Sequence, residues 1–222
     1  MFHDRDGWLE PDQRIAILLK LSQLVASEAE DFAMLIARDL AVKLAAAAAL
    51  LKVGDATKEE TEVGPLILPR EVARVYAWVE EALAGGAELL TGGKPIGETM
   101  YQPTVLFDPK PEEKVSREEI FGPVVCVYPY TDRHEAIGRA NSLNVAFQAA
   151  VYTDDLEIAL DTVRRLDASA VMVNDHTAFR ADWMPFAGRR AAGYGVGGIG
   201  YTMHDMVQTK MTVIKTNSLE ML

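Results

Sequence analysis

The chain has 222 residues, 49% of them hydrophobic and 25% charged, which suits one large or two small globular domains and argues against wholesale disorder. The 33 acidic side chains against 22 basic ones give a net charge of -11, and no basic run interrupts that balance, so nucleic-acid and anionic-membrane partners are disfavoured. One cysteine excludes an internal disulfide and a multi-thiolate metal centre.

No apolar stretch reaches the roughly 18 residues that span a bilayer. The charged start, Met1 to Asp6, lacks the apolar block of a secretory signal. The expectation is a soluble cytoplasmic protein.

In chain order, Glu10-Pro11-Asp12 predicts a helix start, followed by Ile15, Leu18, Leu21 and Val25 at helical spacing. Ser27 and Glu30 form a candidate capping box for a second helix, with Phe32, Leu35, Ile36 and Leu40 as its apolar stripe. The alanine-rich run from Leu44 to Leu51 is a strong helix former, and Gly54 is its expected C-terminal cap. Lys58, Glu59, Glu60 and Glu62 predict a solvated connection.

From Pro69 the pattern becomes regular. Val72, Val75, Val79 and Leu83 predict a helix stopped by Gly85-Gly86, and Ala87 to Thr91 a strand closed by Gly92-Gly93. Thr104 to Phe107 reads as a strand. Val124 to Tyr128 reads as one buried on both faces. Asp132 and Glu135 box a helix to Asn141. Phe147 to Tyr152 is a strand, Leu156 to Leu166 a helix, Ala170 to Val173 a strand, and Met211 to Ile214 a final strand. Strands alternating with helices predict an α/β fold with a mostly parallel sheet.

Gly193, Gly195 and Gly198 satisfy G-x-G-x-x-G, as do Gly195, Gly197 and Gly200. A dinucleotide cradle needs a strand before this pattern and a βαβ unit around it. Phe186 to Arg190 is no strand, so a glycine-rich loop is expected. Cys126 lies within Val124-Val125-Cys126-Val127 and reads as a core residue rather than a nucleophile. His3, His134, His176 and His204 show no metal-ligand spacing. His176 follows a strand's C-terminal end, where open α/β sheets place ligands, and is either ligand-facing or a surface histidine. Neither a Walker loop nor a G-x-S-x-G elbow is present.

The stretch Glu118-Glu119-Ile120-Phe121-Gly122-Pro123-Val124 resembles the E-E-I-F-G-P-V signature of the NAD(P)-dependent aldehyde dehydrogenase superfamily. Lys52-Val53-Gly54-Asp55, Val63-Gly64-Pro65-Leu66, Val173-Asn174 and Met184-Pro185-Phe186-Ala187-Gly188 resemble further family segments in the family's order. This resemblance runs from about Leu40 to Lys215. Trp8, Arg14-Ile15, Leu18 and the run from Ala33 to Ala37 resemble the paired helices near the family's N-terminus. The resemblance therefore implies an N-terminal helical segment over residues 1–39 and an aldehyde-dehydrogenase-like catalytic domain over 40–222. It implies that the two join at Asp39-Leu40 across a large internal deletion, the alternative being a diverged intact protein.

The family's reaction uses a cysteine that attacks the aldehyde and a glutamate that activates water. The segments that carry them, G-Q-x-C and E-L-G-G, have no counterpart here. The resemblance implies that Glu119 accepts hydrogen bonds from the nicotinamide ribose and that Phe121 packs against that end of NAD or NADP. It places Phe186 on the wall of the aldehyde pocket and Phe179 and Arg180 in the loop that shapes the substrate tunnel. Ala187 and Ala192 depart from the family's glycine and serine, which weakens the pocket assignment. The implied state is a chain that does not bind the cofactor or turn over alone. It would be a homo-oligomer through Met211 to Ile214, or a non-catalytic assembly module derived from the family.

Overall fold

The computed structural model describes residues 19, 20, 23 and 29–215. The predicted first helix, apart from three residues, and the Ser27 cap lie outside the described residues. The chain divides into two compact units, one ending at Glu135 and the other beginning at Ala136.

In the first unit α1 (Ala29–Ala49) runs without a break through position 39–40. Its sheet-facing side is built from small residues, with Ala41 and Ala45 buried against β1 (Glu88–Thr91) and β4 (Thr104–Phe107). The expected apolar stripe is not the packed face: Leu35 is 63% and Ile36 70% exposed, and Leu40 is exposed as well. A helix offers one face to the sheet it packs on, and here short alanines allow the closest approach. Gly54 is not the cap either. The last turn tightens first, as Leu50 and Leu51 N–H groups donate to Ala47 and Ala48 carbonyls, and Gly54 N instead donates to Val63 O at 3.1 Å.

α2 (Pro69–Gly85) follows its pattern closely. Proline opens it, and Val72, Val75, Val79 and Ala82 are buried. It ends where Gly86, at φ 111°, donates to Leu83 O and Ala87 donates to Ala82 O. β2 (Pro95–Ile96) and β3 (Met100–Tyr101) form a small antiparallel ladder. Tyr101 is fully buried, and its hydroxyl has no hydrogen-bond partner among the described residues.

The main sheet has the order β1-β4-β5, with β5 at Val124–Val127. β1 pairs antiparallel and β5 parallel to the central β4, all four of whose residues are buried. Leu106 sits opposite Cys126 in this register. Val75, Val79, Tyr101 and Leu106 form the core beneath the sheet, each buried aliphatic side chain contributing about 1.5–3 kcal/mol. β5 is not buried on both faces as its apolar run suggests. It is the outer strand of this sheet, and Val125 is 47% exposed. Between β4 and β5 lie the short α3 (Lys114–Arg117) and the loop from Glu118 to Pro123.

The predicted helix to Asn141 is α4 (Arg133–Asn141), its start capped by Asp132 Oδ1, which accepts from His134 N at 2.7 Å. The second unit holds β6 (Val145–Ala146), β7 (Gln148–Val151), α5 (Leu156–Arg165), β8 (Ala170–Val173), β9 (Arg189–Arg190) and α6 (Ile199–Asp205). β7 and β8 are parallel neighbours joined through α5, and β6 pairs antiparallel with β9. Asp155 caps α5 by accepting from Glu157 and Ile158 N–H groups. Asn174 ends β8 in the left-handed region, φ 56°, with its amide bonded to both the N–H and the C=O of Thr153.

Met211 to Ile214 is not a strand, and Met211, Val213 and Ile214 are each about 80% exposed. A strand exists only when another strand completes its ladder, and no described edge pairs with this segment. The α/β fold class holds, with four-residue parallel pairs at the heart of each unit.

Candidate functional site

The loop from Glu118 to Pro123 is pinned at both ends. Glu118 N donates to Lys114 O at 2.9 Å, closing α3, while Val124 N donates to Gly122 O and Thr104 N to Pro123 O, both at 2.8 Å. Gly122 lies against α2, where a Cβ would meet Val75 Cγ2 at 3.0 Å. Between these pins Phe121 takes φ 46°, a left-handed backbone that costs a side-chain-bearing residue about 1–2 kcal/mol. Its ring is 78% exposed. An apolar ring held out in solvent on a strained backbone has the signature of a binding contact rather than a packing one.

Glu119 and Phe121 line one cleft of about 790 Å³ with Leu66, Glu71, Arg74 and Trp78. The first two of these residues are the sequence-predicted cofactor contacts, and the fold brings them together. Residues of α2 and of the Val63-Gly64-Pro65-Leu66 segment form the other wall, a role that sequence reasoning missed. Its signal was available: Glu71 and Arg74 are one helical turn apart, flanking the buried valine stripe, and both are half-buried. Arg74 Nε donates to Glu71 Oε2 at 2.8 Å, and its guanidinium stacks 4.4 Å from the Trp78 ring centroid. Hydrogen bonds from Arg74, and then Arg70, hold the Glu71 carboxyl below its ordinary range. Glu119 is exposed at the same cleft.

Cys126 does not line the cleft and is partly buried. Its Sγ is 3.8 Å from Val115 O and packs on the core. Burial pushes the thiol up to about 11.

The predicted pocket residues lie in the second unit. Phe179 closes a turn through its N–H on His176 O, with its ring half exposed. Arg180 donates to Pro185 O at 3.0 Å and Met184 O at 2.7 Å, and it lies 4.8 Å from the Phe186 ring centroid. The guanidinium that could meet an anionic substrate thus also clasps its own loop. Phe186 packs edge-on to Phe147 at 4.9 Å, and Phe186 and Gly197 exchange backbone hydrogen bonds. Behind this loop Asp167 pairs with Arg189 and Arg190, and hydrogen bonds from Arg190, and then Arg189, hold its carboxyl low. The His176 side chain is largely exposed, and no described cluster of His, Cys, Asp or Glu could hold a metal.

The carboxylate of Glu119 suits a vicinal diol, and the Phe121 ring suits the flat end of a nicotinamide riboside. The glycine pattern follows a strand of two residues and precedes a helix of seven, with no βαβ unit around it.

A profile described as "Aldehyde dehydrogenase family" matches residues 38–212. The chain is 36% identical over 164 residues to a 3-sulfolactaldehyde dehydrogenase of Priestia aryabhattai, covering 74% of this chain and 34% of that protein. It is 39% identical over 160 residues to a benzaldehyde dehydrogenase [NAD(+)] of Pseudomonas putida, covering 72% and 33%. The crystal structure of aldehyde dehydrogenase 21 from Physcomitrella patens superposes with a TM-score of 0.71 at 36% identity, covering 78% of this chain and 36% of that one. The chain thus spans about a third of the length of the relatives it matches. Solved relatives have been determined with NAD+ or NADP.

Proposed function

We propose, because this chain belongs to the aldehyde dehydrogenase family, that it is a portion of that family's catalytic scaffold which carries the nicotinamide-riboside contacts and does not turn over aldehydes alone. One observation carries this reading. Glu119 and Phe121 line a cleft, while the chain's single thiol is outside that lining and packs against the core. In the parent reaction an aldehyde becomes a carboxylic acid and the cofactor accepts hydride. That chemistry needs a thiolate at the carbonyl and a base for water. Cys126 is too basic and too enclosed to supply the first.

In this reading Glu119 orients the riboside through its hydroxyls and Phe121 shields the nicotinamide face from water. Phe186 forms an apolar wall for the aldehyde, steadied by Arg180, with Phe179 beside it in sequence. Both NAD and NADP fit this end, because they differ at the far ribose. The setting is the cytoplasm, where a lone thiol stays reduced. With a panel of aldehydes and either cofactor, absorbance at the reduced-nicotinamide band is expected to stay flat. A rise proportional to protein concentration overturns the reading.

The exposed apolar segment from Met211 to Ile214 supports a second role, in assembly. Its backbone, which forms no ladder with any described strand, and its apolar side chains suit addition to a sheet edge of another copy. Light scattering should report a dimer or larger species; a monomer at micromolar concentration removes this role.

A further inference from the structure

We propose that Arg74 is the positioning residue that holds the Glu119–Phe121 loop in its binding conformation. The inference rests on the reading of that loop as a ligand contact. Arg74 Nη2 donates to Ile120 O at 2.7 Å, and that carbonyl belongs to the peptide joining Ile120 to Phe121. The orientation of this peptide sets φ of Phe121, the angle that lies at 46°. A hydrogen bond from a charged donor to this oxygen therefore acts on the one left-handed torsion of a side-chain-bearing residue in this loop.

The rest of Arg74 is arranged to aim that donor. Its Nε is fixed by Glu71 at 2.8 Å, and its plane is stacked on Trp78, so the guanidinium has little rotational freedom. The Arg74 side chain is only 28% exposed. The pins downstream, at Gly122 and Pro123, fix where the loop re-enters β5. They do not fix the 120–121 peptide. Lysine could not replace this fork, since one ammonium cannot satisfy Glu71 and Ile120 O while stacking on an indole.

Backbone 15N relaxation on the full chain tests the inference without any ligand. In the unmutated protein the Phe121 and Gly122 amides should show order parameters near the rigid value of about 0.85. In Arg74→Ala they should fall below about 0.6 while those of Val105 and Leu106 stay rigid. Values that remain above that level, or a fall shared by β4, overturn it. Should the alanine variant fail to fold, Arg74→Lys keeps the charge and loses the fork, and the same localised fall is expected under the same criterion. Nicotinamide mononucleotide at millimolar concentration separately tests the parent reading. Cofactor binding at ordinary concentrations is not expected of this chain alone, but weak contact at millimolar concentration is; if the mononucleotide shifts neither the Glu119 nor the Phe121 amide resonance of the unmutated protein, the assignment of the riboside contacts fails, while the order parameters still judge Arg74.

Discussion

Cys126 in the native protein should react with a thiol reagent at neutral pH about 100-fold more slowly than in the urea-unfolded chain. Burial is the largest cause. It lifts the thiol from an ordinary value near 9.0 to about 11, against a weaker lowering by the Tyr128 hydrogen bond. Two units remove ~99% of the small thiolate population, and thiolate is the reactive form. The more basic thiolate is intrinsically the better nucleophile, which returns up to about tenfold. Limited access to a sulfur packed among Val115, Leu106 and their neighbours works the other way. A slowing of about tenfold is therefore the floor and about 100-fold the expected value. The check is mass-spectrometric labelling against time, native and in urea. Labelling at the unfolded rate would place the sulfur in solvent and reopen thiol chemistry at this site.

Leu106→Ala should destabilise the first unit by about 3 kcal/mol, read as a lower urea midpoint at unchanged slope. Leu106 is fully buried at the centre of β4 and belongs to the core that α2 closes. Removing its branched end loses transfer free energy and leaves a cavity, because rigid neighbours on three elements relax only in part. Leu106 also sits opposite Cys126, so the variant should raise Cys126 labelling as well. A loss under about 1 kcal/mol would mean that the core collapses freely around the gap, and that the packing described for β4 is wrong.

Local chemistry made much of this fold legible. α2 was readable because its valines recur on one face and glycines stop it. α5 was readable as a helix, but its packed face was not: Ala159 and Thr162 are buried while Leu156 and Leu160 stay exposed. Glu119 and Phe121 were found through a contiguous motif, whose residues need only one loop to come together. Arg74 and Trp78 were missed because they reach the same cleft from 45 residues or so upstream. Nothing in a helical repeat says which neighbour its polar face will meet.

The apolar stripe of α1 shows the same limit from the other side. Leu35, Ile36 and Leu40 obey helical spacing, yet the sheet chose the alanines. Hydrophobicity is a property of a residue, whereas burial is a property of a surface that must also fit. Met211 to Ile214 has strand composition and lacks a strand's partner.

Composition and order of residues by themselves determined α2, α4 and α5, the four-residue strands, the family and the absence of its nucleophile segment, but not the short α3 and α6. These depend on interactions within a few residues or on identity alone. The tertiary structure alone decided which helix face packs, that β5 is an outer strand, that the lone thiol is enclosed, and that an arginine on α2 grips the carbonyl before Phe121. Each of those depends on distance in space between residues far apart along the chain, and that distance is set only when the packed core forms.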